Sequence, residues 1–377
     1  MADGARIIGR EQLARLVEVL AARGYAVMAP TVRGGAVVLD EVHGVDELPW
    51  DVGDVQEPGS YRLTERGDGA VFGQAAAVKA IKPVLFPPDE LIWRGHRSGT
   101  QFSVTDREGQ PQRPVAFLGV RSCDLRALAQ HDRVLAERAF PDTRYLRRRE
   151  GVFLAAVTCA DPADACFCTS VGGGPHPEEG YDLALTELVD PHRFVVEIGT
   201  ELGAQVLAEV GSEAAAPEDL AAVRDQIASA TERMTRSMDT DGLRDLLYAS
   251  AESPVWDEVG NRCLTCMNCT MVCPTCFCTT VEDVSSLGSA DAERRRVWDS
   301  CFSEEFAHIH GGSLRTEAKS RYRQWLTHKL GAWQDQFDAL GCVGCGRCIT
   351  WCPVGIDLTA EVAKLRAAAP LSVGGAR

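Results

Sequence analysis

The 377-residue chain has no apolar stretch near the roughly 18–20 residues that a membrane helix needs; runs such as residues 151–160 stop well short. No membrane span is expected. The opening MADGARIIGREQ has no apolar core after its first charges, so no secretory leader is readable and a cytoplasmic location is expected. Base is scarce beside acid, 39 Lys+Arg against 54 Asp+Glu for a net charge of −15. That balance argues against a nucleic-acid partner, because phosphate binding needs a concentrated basic face. A P-loop, a nucleophile elbow and an interpretable Ser/His/Asp set are also missing. Gly67-Asp68-Gly69-Ala70-Val71-Phe72-Gly73 approaches a dinucleotide loop, but its spacing is GxGxxxG and Asp68 would repel a pyrophosphate. No catalytic residue is assigned. What remains is an ordinary globular composition, 45% hydrophobic and 25% charged, with a length suited to two or three domains.

Cysteine is what the sequence has in plenty: fifteen, in a compartment where structural disulfides do not persist. Eight fall into two runs of identical spacing, Cys263-x2-Cys266-x2-Cys269-x3-Cys273-Pro274 and Cys342-x2-Cys345-x2-Cys348-x3-Cys352-Pro353. Three thiolates at i, i+3 and i+6 can wrap a loop around one cubane, leaving backbone amides to hydrogen-bond its sulfurs. In two-cluster ferredoxins the fourth Cys, next to Pro, ligates the other cluster. Cluster one therefore takes Cys263, Cys266, Cys269 and Cys352, and cluster two takes Cys342, Cys345, Cys348 and Cys273. Zinc fits less well, since zinc ribbons use two C-x2-C pairs set some 15 to 20 residues apart. The expected cofactors are two [4Fe–4S] clusters.

Four further cysteines look organised. The apolar run 115–120 leads into Arg121-Ser122-Cys123-Asp124 and a helical pattern, so Cys123 is expected at a strand-to-helix turn. Cys159 ends a second apolar run, and Cys166-Phe167-Cys168 follows in a loop with Gly172-Gly173-Gly174-Pro175. Four thiols at the ends of neighbouring strands could hold a third [4Fe–4S] cluster; the alternative is thiols buried as small hydrophobes. Cys276, Cys278 and Cys301 are expected to pack around a cluster.

Leu13, Leu16, Val17 and Leu20 mark a helix over 11–23 that stops at Gly24. Short β-rich segments at 25–28, 35–42, 60–64, 115–120, 151–157, 183–188 and 193–198 are bounded by Gly, Pro or Asp. The fold class expected is α+β. Residues 1–210 read as a mixed α/β domain, 211–255 as a helical linker with helices over 217–236 and 241–251, and 256–377 as a mostly α-helical ferredoxin-like dicluster domain. Cys273 and Cys342 lie 69 positions apart, and the insert between them reads as helices rather than strands. It concentrates base at Arg294-Arg295-Arg296, Arg315, Lys319, Arg321, Arg323 and Lys329. That is either a solvated helix face or a docking face with donors that steady cluster charge.

Several segments together resemble one family. They are Lys82-Pro83-Val84-Leu85-Phe86-Pro87-Pro88, the stretch from Gly119 to Leu128, the Cys166-Phe167-Cys168 loop, both cysteine runs, and the stretch from Arg321 to Lys329. The sequence resembles the beta subunit of cytoplasmic NAD(P)-linked nickel–iron hydrogenases, also called sulfhydrogenase beta subunits, related to the A-type subunit of anaerobic sulfite reductase. The resemblance implies a non-catalytic subunit passing electrons between a flavin subunit, which carries FAD and meets NAD(P)H, and the small and large subunits of the nickel–iron hydrogenase. A sulfite reductase complex is the alternative setting; a different class of reading is an enzyme binding flavin or reducing sulfur on its own. The Cys123, Cys159 and Cys166-Phe167-Cys168 arrangement also looks distantly like the cluster site in beta subunits of deazaflavin-reducing hydrogenases.

Overall fold

Apolar, β-branched stretches flanked by Gly and Pro form the strands of the larger sheet. The computed structural model describes residues 4–78, 80–106 and 113–369, so the last positions of the 256–377 segment lie outside the described residues. The strand order is Glu213–Ala214, Arg6–Ile8, His192–Ile198, Leu183–Val189, Phe153–Val157, Val115–Val120, Ala26–Arg33 and Ala36–Glu41. Leu183–Val189, Phe153–Val157, Val115–Val120 and Ala26–Arg33 run parallel to one another, and the outer pairs are antiparallel. All five residues of Phe153–Val157 are buried, as a central parallel strand covered on both faces requires. One face takes the helix Arg10–Ala22, whose Leu13, Leu16 and Leu20 are fully buried. Each such leucine contributes about 1.5–3 kcal/mol of transfer free energy.

The parallel core determines where chemistry can gather. Val115–Val120 feeds the helix Ser122–Leu135, and Phe153–Val157 ends two residues before Cys159. Both thiols thus stand at the carboxyl ends of neighbouring parallel strands, the usual site of ligand crevices in such sheets.

The insert between the cysteine runs differs from its expected helical character. Thr279–Ser285 and Asp291–Trp298 form an antiparallel hairpin, and Asp291–Trp298 pairs in turn with Asp89–Ser98, beside Gln101–Asp106. His308–Ile309 and Gly312–Ser313 form a second, short pair. The signal lay in Thr279, Thr280, Val281, Val297 and Trp298, strand formers set around the Gly288 turn. Helix begins again at Ala318–Thr327. The hairpin completes a four-stranded sheet with strands from the first half, so the sequence-based division at residue 256 is crossed by backbone hydrogen bonds.

Pro217–Arg233 and Leu243–Ala249 are helices, close to the expected ranges. Trp256, Val259, Tyr322, Trp325, Leu326 and Leu330 build a second core under the cysteine loops. The two halves are pinned by Arg347, 1% exposed, whose Nη2 donates to Asp124 Oδ1 at 2.7 Å and whose Nε donates to Ala77 O at 2.7 Å. Breaking a buried pair by removing one partner leaves the other charge uncompensated. Asp124→Ala is accordingly expected to cost about 3–5 kcal/mol in denaturant unfolding, and the Asp124→Ala/Arg347→Met double variant to cost less than the sum of its parts.

Candidate metal centres

The two cysteine loops repeat in backbone conformation as well as in sequence. Thr265 and Met267 have φ of 50° and 67°, and the equivalent Gly344 and Gly346 have φ of 68° and 73°. Each loop therefore turns twice through the left-handed region and runs into a short helix, Asn268–Met271 or Arg347–Thr350. The turns aim amides at sulfur: Thr265 N lies 3.5 Å from Cys263 Sγ, Gly344 N 3.4 Å from Cys342 Sγ, and Ile356 N 3.3 Å from Cys352 Sγ. Glycine is required only in the second loop. A Cβ on Gly344 would stand 2.5 Å from Cys168 Cα, and one on Gly346 2.5 Å from Ala165 O.

Cys263, Cys266, Cys269 and Cys352 line one cavity, with about 460 Å³ of atom-free space, closed on the inside by Phe302, Tyr322 and Trp325. Burial pushes the Cys269 thiol up, and the neighbouring Cys263, Cys301, Cys352 and Cys266 thiols add to that shift. Cys266 is exposed, beside Leu264 at 60% and Val354 at 40% exposure, so this set lies at the surface.

The other four thiols of the runs are deeper. Burial raises Cys348, and Cys342, Cys273 and Cys345 raise it further, so these four face one another. Lys329, 5% exposed, enters here: its Nζ donates to Gly341 O at 2.9 Å, to Thr275 Oγ1 at 3.1 Å and to Cys273 Sγ at 3.2 Å. Burial opposes its charge, yet Cys273, Cys276, Cys342 and Cys348 together hold the ammonium above its ordinary pKa. A hydrogen bond from Cys276, with Lys329 and Thr275 behind it, holds Cys273 below the usual thiol range. This donor set fits a net-negative thiolate cluster. Among the described residues, no group of three His, Cys, Asp or Glu is placed to hold a single metal ion; the thiols instead stand around open space.

Cys123, Cys159, Cys166 and Cys168, far apart in sequence, line one further cavity. Cys276 and Cys278 are half-buried near Lys329 and Lys82, and Cys301 near Cys269, as packing around the runs. The glycine-rich segment 67–73 has its amides occupied: Gly67 and Gly69 donate to Asp51 Oδ1, and Val71 and Phe72 donate to the Glu187 carboxylate. No amide of those four is free for a phosphate.

The 4Fe-4S dicluster domain family matches residues 262–356. Over 310 residues, 81% of this chain and 89% of the relative, the sequence is 32% identical to sulfhydrogenase 2 subunit beta of Pyrococcus furiosus. The chain belongs to the sulfhydrogenase beta-subunit family. With its dicluster domain, this sulfhydrogenase beta-subunit relative is an iron–sulfur electron-transfer subunit. No solved structure matches it. No helix among the described residues is long and apolar enough to cross a membrane.

The basic insert is not the free face that the sequence left open. Arg294, Arg295 and Arg296 lie on a strand and pair with Asp283, with Asp89 and Glu293, and with Glu90 and Asp142. Arg321 is buried, with its guanidinium on the carbonyls of Arg315, Phe302 and Thr316. Lys329 is the donor that reaches a thiol, and in sequence it was one cation among eight. Gly344→Ala is expected to lose at least the roughly 1–2 kcal/mol of a left-handed L-residue and to lower iron content, whereas Thr265→Gly, relieved of the same strain, is expected to gain up to about 1–2 kcal/mol and to keep its iron. Thermal unfolding and iron per chain measure the pair.

Proposed function

We propose that this chain relays single electrons through two [4Fe–4S] clusters, between a flavin subunit that carries FAD and meets NAD(P)H and the small and large subunits of a nickel–iron hydrogenase. The observation that carries this reading is the interlocking of the runs: the fourth thiol of each stands with the first three of the other. Cys263, Cys266, Cys269 and Cys352 would hold cluster one, and Cys342, Cys345, Cys348 and Cys273 cluster two. A bound cubane takes up or gives up one electron without making or breaking a bond in the protein. The hydrogenase setting is supported by the relative's name, which is that of one subunit of a sulfhydrogenase.

The chain's own groups prepare the two sites differently. Lys329 places a positive charge against Cys273, which favours the reduced, more negative state of the second cluster. The first site has an aromatic inner wall and an exposed outer thiol. Cys266→Ser is expected to remove about four irons per chain and one reduced EPR signal while leaving the second cluster, as two separate ligand sets demand. Unchanged iron would refute the ligand assignment. Lys329→Met is expected to lower the midpoint potential of the second cluster by at least about 59 mV, one factor of ten in a one-electron equilibrium, with the first unmoved. An EPR-monitored redox titration reads both.

A further inference from the structure

Cys123, Cys159, Cys166 and Cys168 lie in the N-terminal part of the chain, outside the dicluster match, and line a cavity that Gly344 and Cys345 of the second cysteine loop also wall. It has about 350 Å³ of atom-free space, comparable with about 460 Å³ at the first cysteine set. The parallel sheet and one loop assemble it. Cys123 is in the first turn of the helix Ser122–Leu135, Cys159 follows the neighbouring strand, and the Cys166-Phe167-Cys168 loop closes the third side. The backbone holds this loop tightly, with Cys159 N on Pro175 O at 2.8 Å and Phe167 N on Gly344 O at 2.8 Å.

The electrostatic surroundings also point to an anionic occupant. Arg121 is 3% exposed and lines the cavity, yet its guanidinium donates to the carbonyls of Thr158, Phe72 and Gln74 and to no carboxylate among the described residues. A buried guanidinium is costly unless negative groups stand near it; Asp54 is one such group, and Arg121 also acts on the Cys159 thiol. Arg126 donates Nη2 to Val171 O at 2.6 Å and leaves a buried Nη1 with no partner, on the Cys168 side. Three buried thiols and one half-buried thiol, with two guanidiniums behind them, are poor as mere packing and good as the shell of a metal–sulfide core.

We propose that Cys123, Cys159, Cys166 and Cys168 ligate a third [4Fe–4S] cluster, and that the three centres form a line in the order first, second, third. The order follows from shared walls. Cys348, of the second set, lines the first cavity, and Cys345, of the same set, lines the third. Cys166 Sγ lies 3.9 Å from Cys345 O. The second loop thus stands between the other two sites. Along such a line one centre is oxidised by one electron as its neighbour is reduced by one, and no proton or bond changes hands.

This inference rests on the relay reading above, and the test separates the two. Iron and acid-labile sulfide are counted on the full chain purified anaerobically, for wild type and for the Cys166→Ser and Cys159→Ser variants. About twelve of each in wild type, falling by about four in both variants with the signals of the other two clusters kept, is the expected result. About eight irons in wild type overturns the third cluster and leaves the relay standing, as does zinc in place of the missing iron. Iron near zero overturns both. If a variant fails to fold, the wild-type count still decides. The order is read by spin coupling in reduced samples: Cys342→Ser is expected to leave the third signal uncoupled, and Cys266→Ser to leave it coupled. The reverse pattern overturns the order.

Discussion

One carboxylate holds the molecule's chemistry in register. Asp124 accepts from the Arg121 amide at 3.1 Å through Oδ2, finishing the start of the helix Ser122–Leu135, and takes Arg347 through Oδ1. Arg347 lies between Cys345 and Cys348 in sequence and its guanidinium rests against the Cys345 thiol. The strand-to-helix turn that presents Cys123 and the loop that presents the second cysteine run are thereby fixed through a single side chain. A buried ion pair of this kind adds little net stability over an apolar pair, but it penalises every arrangement in which the two halves slip. The close approach of Gly344 and Gly346 to the backbone of Ala165 and Cys168 enforces the same register sterically.

Much of this was legible in the sequence, and for a physical reason. Ligand spacing is a local property, so two runs with the same intervals announce their loops without any knowledge of the fold. Strand ends are nearly as local: Val115–Val120 and Phe153–Val157 were readable from their apolar content, which placed Cys123 and Cys159 at neighbouring carboxyl ends. Long-range pairing was not readable. Asp291–Trp298 carries three consecutive arginines, which suits a solvated helix until Asp89, Glu90, Asp142 and Asp283 are brought beside it by the sheet. Nothing local distinguishes Lys329 from Lys319 either. One is buried against Cys273 and the other is an exposed partner of Asp257, because the core that buries the first is assembled from segments far apart in sequence.

Charge in this protein is directed inward. The net charge of −15 coexists with a set of cations that face sulfur or carbonyls instead of solvent: Arg121, Arg321, Lys329 and Arg347 are all at most 7% exposed. Burying a cation costs free energy unless something compensates it. For Arg347 the compensation is Asp124, and for Lys329 it is the Cys273 sulfur together with the Thr275 hydroxyl and the Gly341 carbonyl. A chain that repeatedly buries cations around cysteines is one whose interior carries negative charge that water does not screen.

The two loops, alike in sequence, therefore do not make equivalent sites. Thr265 and Met267 keep side chains in a left-handed backbone that glycine would adopt freely, which costs about 1–2 kcal/mol per residue, whereas the packed wall beyond Gly344 and Gly346 permits no side chain at all. Solvent on one side of the first loop gives those side chains room; the Ala165–Cys168 backbone on the matching side of the second does not. The same difference governs the electrostatics, since water screens charge at the exposed first site while Lys329 and Arg347 act on the second through a medium of low dielectric. A duplicated ligand motif placed in unequal surroundings would give the clusters it holds unequal affinities for an electron.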